Sequence, residues 1–97
     1  MENSDQIIKD IQEAFPVLKE EYKVKTLGIF GSYIRGEQTD KSDIDILVDF
    51  DAPVSIFRFV DLSDRLSAIL HKKVDLVMRS ALKPNIGKSI LGEVKYI

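Results

Sequence analysis

The sequence predicts an α/β (α+β) fold, a small mixed sheet with helices packed on one face. Three observations predict it. Apolar residues recur at helical spacing near the start, middle and end of the chain, which marks amphipathic helices. Short segments of strand-like composition lie between them, and the second alternates clearly in polarity. The resulting order is helix, strand, strand, helix, strand, helix. The helix between the second and third strands is then a crossover, which makes those strands parallel and the connection right-handed.

Each element has its own signal. Ile7, Ile8, Ile11, Phe15, Leu18 and Tyr22 define a helix from Ser4 to about Tyr22, with Ser4 or Asp5 as N-cap. Pro16 falls inside this pattern and predicts a kink or a break into two helices. Thr26–Phe30 reads as a short strand that ends at a Gly31-Ser32 turn. Residues 33–42 read as a helical turn followed by a polar loop. From Ile44 to Phe50 the alternation puts Ile44, Ile46, Val48 and Phe50 on one face. Asp43, Asp45, Leu47, Asp49 and Asp51 fall on the other. Pro53 ends that strand. Ser55 then caps a helix to about Leu70, with Ile56, Phe59, Leu62, Leu66, Ile69 and Leu70 along one side. Val74–Met78 is a third strand with Asp75 on its polar face. Pro84 starts a last helix carrying Ile86, Ile90, Leu91 and Val94, and residues 95–97 add a short edge strand.

Composition sets the outer limits. A chain of 97 residues suits one domain, residues 1–97. No apolar run approaches the ~20 residues of a membrane span. The start, Met1-Glu2-Asn3-Ser4-Asp5, is polar and acidic rather than a secretory signal. The absence of cysteine excludes disulfides and thiolate metal sites, and the expectation is a cytoplasmic protein with no membrane partner. With 14 basic and 16 acidic residues there is no basic excess of the kind a nucleic-acid binder shows, and no direct nucleic-acid binding is expected. The acidic residues cluster instead: Asp40, Asp43, Asp45, Asp49 and Asp51 lie within a dozen positions.

The predicted topology gives that cluster a chemical use. Asp43 and Asp45 open the second strand and Asp75 opens the third, so in parallel strands all three lie at one end of the sheet. Neighbouring strands are about 4.8 Å apart and alternate residues roughly 6.6 Å, close enough for three carboxylates to converge. Such groups repel unless a cation lies between them. Oxygen ligands suit Mg²⁺ or Mn²⁺, and paired ions about 3.5–4 Å apart serve nucleotidyl transfer. If the first two strands are antiparallel neighbours, the end of one meets the start of the other, and Gly31 and Ser32 land beside the carboxylates. There glycine admits a phosphate, the following amides favour an anion, and the Ser32 hydroxyl can donate to it. Arg35, one turn on, offers a planar donor to a triphosphate.

Each feature alone has an ordinary explanation. Asp-x-Asp on a strand is usually solvated, and Gly-Ser after a strand is usually a turn. Their order and spacing, with the third aspartate after a crossover helix, favours the site. Other residues read more simply. His71 suits a helix C-terminus. Asp49 and Asp51 read as solvated strand ends, Arg79 and Lys83 as basic surface, and Phe57 and Phe59 as core and partner-facing surface. Tyr33 fits either packing or a place beside a nucleotide.

Residues Gly31-Ser32-Tyr33-Ile34-Arg35-Gly36-Glu37 and Ser42-Asp43-Ile44-Asp45-Ile46-Leu47-Val48 resemble the signature of the DNA polymerase β-like nucleotidyltransferases. Lys73–Val77, Ala81–Pro84 and Val94–Ile97 extend the likeness to the minimal nucleotidyltransferases (MNT), the antitoxin halves of HEPN–MNT toxin–antitoxin pairs. The resemblance implies the polymerase β-like fold, with Asp43 and Asp45 as metal ligands and Asp75 as third ligand or base. It implies Gly31, Ser32 and Arg35 on the triphosphate, Mg²⁺, in two ions, as cofactor, and ATP as substrate. Its members transfer AMP to a tyrosine of a partner HEPN toxin, an RNase. Ile34 stands where small residues are common, a minor departure. The expected function is therefore a Mg-dependent protein adenylyltransferase antitoxin. The alternatives are an antitoxin that acts by binding alone and a transferase for a small molecule such as an aminoglycoside.

Overall fold

The computed structural model describes residues 4–97, without the side chain of Ser4. The polar start read at Met1–Asn3, and Ser4 as a capping side chain, lie outside what it describes. Helix α1 spans Ser4–Tyr22, strand β1 Val24–Phe30, helix α2 Ser32–Arg35 and strand β2 Ile44–Phe50. Helix α3 spans Ile56–Leu70, strand β3 Val74–Met78, helix α4 Pro84–Glu93 and strand β4 Lys95–Tyr96, with a 3₁₀ turn at Arg79–Ala81. The sheet order is β3-β2-β1-β4. β2 and β3 are parallel across the α3 crossover, and β1 is antiparallel to both β2 and β4. The mixed sheet is the predicted one.

Helices α1 and α3 bury one face of it. Ile7, Ile11, Leu18 and Tyr22 from α1 meet Leu62, Leu66 and Leu70 from α3 over Ile44, Ile46 and Val48 of β2. The Tyr22 hydroxyl bonds Asp61 Oδ2 at 2.9 Å, which joins the two helices at the rim of the core. Burial, and next the Asp61 bond, raises the Tyr22 pKa, so the phenol stays a donor. β1 contributes Val24, Leu27 and Ile29 to the same core. Val24 and Leu27 are three apart and would face opposite ways in a regular strand. A register shift between Val24 and Thr26 restores the phase, as a bulge does.

The opposite face holds Gly28, which pairs with Leu47. A side chain on Gly28 would strike Val94 Cγ2 and the Lys95 carbonyl, so the end of α4 closes tightly there. Leu47 lies on the aspartate face yet is only 1% exposed.

Local signals explain the boundaries. Ser55 caps α3 as expected, its Oγ accepting from the Arg58 N–H at 3.2 Å. Pro84 starts α4 as expected. α1 does not break at Pro16 but runs through it. Buried Ile11 and Leu18 hold the helix on both sides, and the carbonyl that loses its partner belongs to exposed Gln12. Asp5 is not a cap either; it sits in the first turn, where its charge suits the helix dipole. β1 begins at Val24, earlier than its apolar pattern suggested, because the bulge hides the alternation.

His71 closes α3 in the left-handed conformation, φ 53°, with its N–H on the Ser67 carbonyl. A residue with a Cβ is strained there. His71→Gly should raise unfolding stability by roughly 0.5–1 kcal/mol, the relief of strain less the added freedom of the unfolded chain. Urea titration measures it. A destabilised variant would mean that the imidazole, not the backbone, holds this end.

Candidate active site

The carboxylates meet through strand register. Asp45 of β2 is the partner of Asp75 on β3 and of Phe30 on β1. Asp45 is half-buried and Asp75 exposed. Burial pushes the Asp45 carboxyl up to about 6, helped next by the charge of Asp75, a hydrogen bond with it, and Asp43; Arg35 pulls weakly the other way. Asp43 stands just before β2, placed by a turn in which Ser42 N–H bonds the Thr39 carbonyl and Ser42 Oγ accepts from Thr39 N–H. Its carboxylate faces Lys73 Nζ at 3.9 Å.

The Gly31 turn abuts Asp45. Gly31 adopts φ 78°, ψ −149°, a conformation open to glycine alone. A Cβ at Gly31 would collide with Asp45 Oδ2. Its carbonyl accepts from the Ile34 and Arg35 N–H groups, both at 3.1 Å, and starts α2. Gly36, at φ 71°, closes the turn onto the Ser32 carbonyl. Tyr33 is 3% exposed and belongs to the core, so its place is packing. Lys72, 6.0 Å from the Tyr33 ring centroid, donates to the Asp40 carbonyl and ties down the loop.

Arg35 is less free than its motif suggested. Its Nε donates to Glu37 at 2.8 Å and its Nη1 to both oxygens of Glu93 at 3.1 Å. Those bonds, to Glu37 first and then to Glu93, raise its pKa. Glu93 Oε2 also accepts the Gly31 N–H. Sequence reasoning missed Glu93. It lies 62 positions from Gly31 and 58 from Arg35, at the end of an ordinary amphipathic helix, with no spacing to mark it.

The remaining acidic and aromatic residues sort out plainly. Asp49 is not simply solvated: it pairs at 3.7 Å with Arg79, which is exposed basic surface as read. Asp51 and Lys83 are exposed. Phe59 packs on the core while Phe57 is 83% exposed.

Among the described residues, no three His, Cys, Asp or Glu side chains form a ready-made metal cage. Asp45 and Asp75 come together, and Asp43 stands near enough for its charge to act on Asp45 while its Oδ2 lies 3.9 Å from Lys73 Nζ. The donor chemistry nevertheless fits a hard dication. The set is all carboxylate oxygen, and like charge helps lift Asp45, a repulsion that a cation relieves.

A fold in which paired aspartates on parallel strands face a Gly-Ser turn defines a class of phosphate-chemistry enzymes. The family model described as nucleotidyltransferase domain matches residues 8–97, and the chain belongs to that family. Within it, the chain is a minimal nucleotidyltransferase by its relatives. It is 49% identical to the protein adenylyltransferase MntA of Thermococcus cleftensis over 82% of this chain and 81% of that one. A Methanocaldococcus jannaschii protein provisionally named a protein adenylyltransferase is 52% identical, over 93% and 94% of the two chains. A solved structure described as a minimal nucleotidyltransferase superposes with TM-score 0.79 at 28% identity, covering 93% of this chain and 92% of that one. A crystal structure of a toxin–antitoxin with AMP-PNP gives TM-score 0.71 at 27% identity, over 98% and 72%. No helix among the described residues is long and apolar enough to cross a membrane.

The raised Asp45 pKa carries a pH consequence. The folded protein holds this proton more tightly than the unfolded chain, whose aspartates titrate near ~3.9. The stability so gained is complete below about pH 3.9 and is lost as pH rises through about 6. Metal-free Asp45→Asn should therefore melt higher than wild type at about pH 7.5, with the advantage gone at about pH 4. Thermal melts in chelator read this directly. An equal difference at both pH values would show that Asp45 is not held against its neighbours' charge.

Proposed function

We propose that this chain is a Mg-dependent protein adenylyltransferase antitoxin that moves AMP from ATP to a tyrosine of a partner HEPN RNase toxin in the cytoplasm. One observation carries the reading: Asp45 and Asp75 stand in register, with the Gly31 turn pressed against Asp45. The adenylyltransferase names of the relatives support a protein acceptor, and the toxin–antitoxin structure with AMP-PNP supports ATP and a toxin partner.

Asp43, Asp45 and Asp75 would hold Mg²⁺, expected as two ions. Bound Mg²⁺ neutralises phosphate charge and stabilises attacking and leaving oxygens. The Ser32 amide and hydroxyl and Arg35 grip the triphosphate. Asp75, the exposed member, takes the proton of the tyrosine hydroxyl. The tyrosine oxygen then bonds the α-phosphorus as the bond from that phosphorus to the α–β bridging oxygen breaks, and pyrophosphate leaves. The acceptor must approach in line, opposite the pyrophosphate.

Two measurements test this. ATP binding by calorimetry should be strong with Mg²⁺ and weak in chelator, because carboxylates repel a bare triphosphate. Equal affinity in both would remove the acidic cluster from the site. After co-expression, intact-mass spectrometry of the toxin should show added AMP. Asp43→Ala should cut transfer by more than about 100-fold, the upper range for losing even an outer-shell metal partner. A toxin left unmodified yet neutralised equally by both proteins would establish an antitoxin that acts by binding alone.

A further inference from the structure

We infer that Glu93 is a positioning residue for the nucleotide: from the end of α4 it fixes the Gly31-Ser32 turn and the Arg35 guanidinium in the arrangement that receives the triphosphate. The inference rests on the reading of that turn as the phosphate site.

Donor counting carries it. Arg35 has five N–H donors. Nε donates to Glu37, and Nη1 donates to both oxygens of Glu93. The two Nη1 hydrogens diverge too widely to reach both oxygens of one carboxylate, so a single Nη1–H is shared between them, and the two hydrogens of Nη2 are left for a ligand. Gly31 N–H is also committed to Glu93. The triphosphate is therefore received by the Ser32 N–H and hydroxyl and by Arg35 Nη2, and not by the Gly31 amide.

The effect is one of order. An arginine half exposed at the surface would otherwise lose rotamer freedom when it grips a phosphate. Glu93 removes that freedom beforehand. It also holds the amide side of a glycine whose conformation is intrinsically one of many. Its negative charge works against an incoming anion, so order and repulsion oppose each other at this position. The charge-assisted contact of Arg35 Nη1 with both Glu93 oxygens, together with the bond to Gly31, favours order as the larger effect.

Calorimetry with Mg-ATP and steady-state transfer to the toxin test the assignment on the full chain. Glu93→Ala should weaken ATP about tenfold, the equivalent of one long side chain left to be immobilised. Glu93→Gln keeps an acceptor for Gly31 and Arg35, and its loss should be smaller, about threefold. Both should raise KM for ATP while leaving KM for the toxin unchanged, a split that a purely structural pin would not produce. If Glu93→Ala does not fold, Glu93→Gln gives the answer. Unchanged ATP affinity in the glutamine variant overturns the inference. Tighter binding in that variant overturns it too, since Glu93 would then be a competitor of the triphosphate. Arg35→Gln separates the two layers. If it weakens ATP while the Glu93 variants do not, only the role of Glu93 falls. If it too has no effect, the turn is not the phosphate site and both readings fall.

Discussion

Asp45 sits where two demands meet. On one side its carboxylate faces Asp75 across parallel strands, where burial first, and then the charge of Asp75 and a hydrogen bond with it, raise its pKa. On the other side its Oδ2 occupies the space that a side chain at position 31 would fill. Residue 31 must then be glycine for space as well as for its backbone angle. The turn it makes opens α2 directly beside Asp45. Moving Asp45 by one residue would transfer it to the face that α1 and α3 bury, because strand alternation has period two. Strand register, glycine and carboxylate thus constrain one another.

Such a cluster works against folding in the absence of a cation, and the stabilising core lies behind it. Ile44 and Ile46, on either side of Asp45, are fully buried on the opposite face. Asp45 is therefore placed by neighbours that face away from it. This division also explains why the core residues read so clearly as alternation, while the site residues read only as a polar interruption of it.

Much of the fold was legible for that reason. β2 came out with its observed limits, Ser55 and Pro84 marked helix starts, and the parallel pairing followed from a crossover helix of ordinary length. What stayed hidden was non-local or out of phase. The bulge near Val24 broke the period that would have marked the start of β1. Pro16 marked a kink or a break, and the break is absent because local propensity does not register the packing of Ile11 and Leu18. At the candidate site, the meeting of Gly31, Asp45 and Asp75 was readable from order and alternation. The ion pair of Asp43 with Lys73, the pairing of Asp49 with Arg79, and Glu93 were not. Each of those depends on a partner brought near by tertiary structure, and no spacing rule encodes it.

The order of groups across the sheet bears on the division of labour in the proposed reaction. β3 is an edge strand, and its Asp75 is exposed. Next inward is Asp45 on β2, then the Gly31 turn at the end of β1, then Glu93 at the end of α4. On the proposed reading this sequence runs from acceptor, through metal, to phosphate and its support. The acceptor end is the one that the sheet leaves open, and the phosphate end is the one that α4 closes. An acceptor as large as a folded protein can approach only from an open side. A triphosphate, by contrast, gains from donors held in place before it arrives. The asymmetry follows from the topology: β1 is flanked by β2 and β4, whereas β3 has a neighbour on one side only.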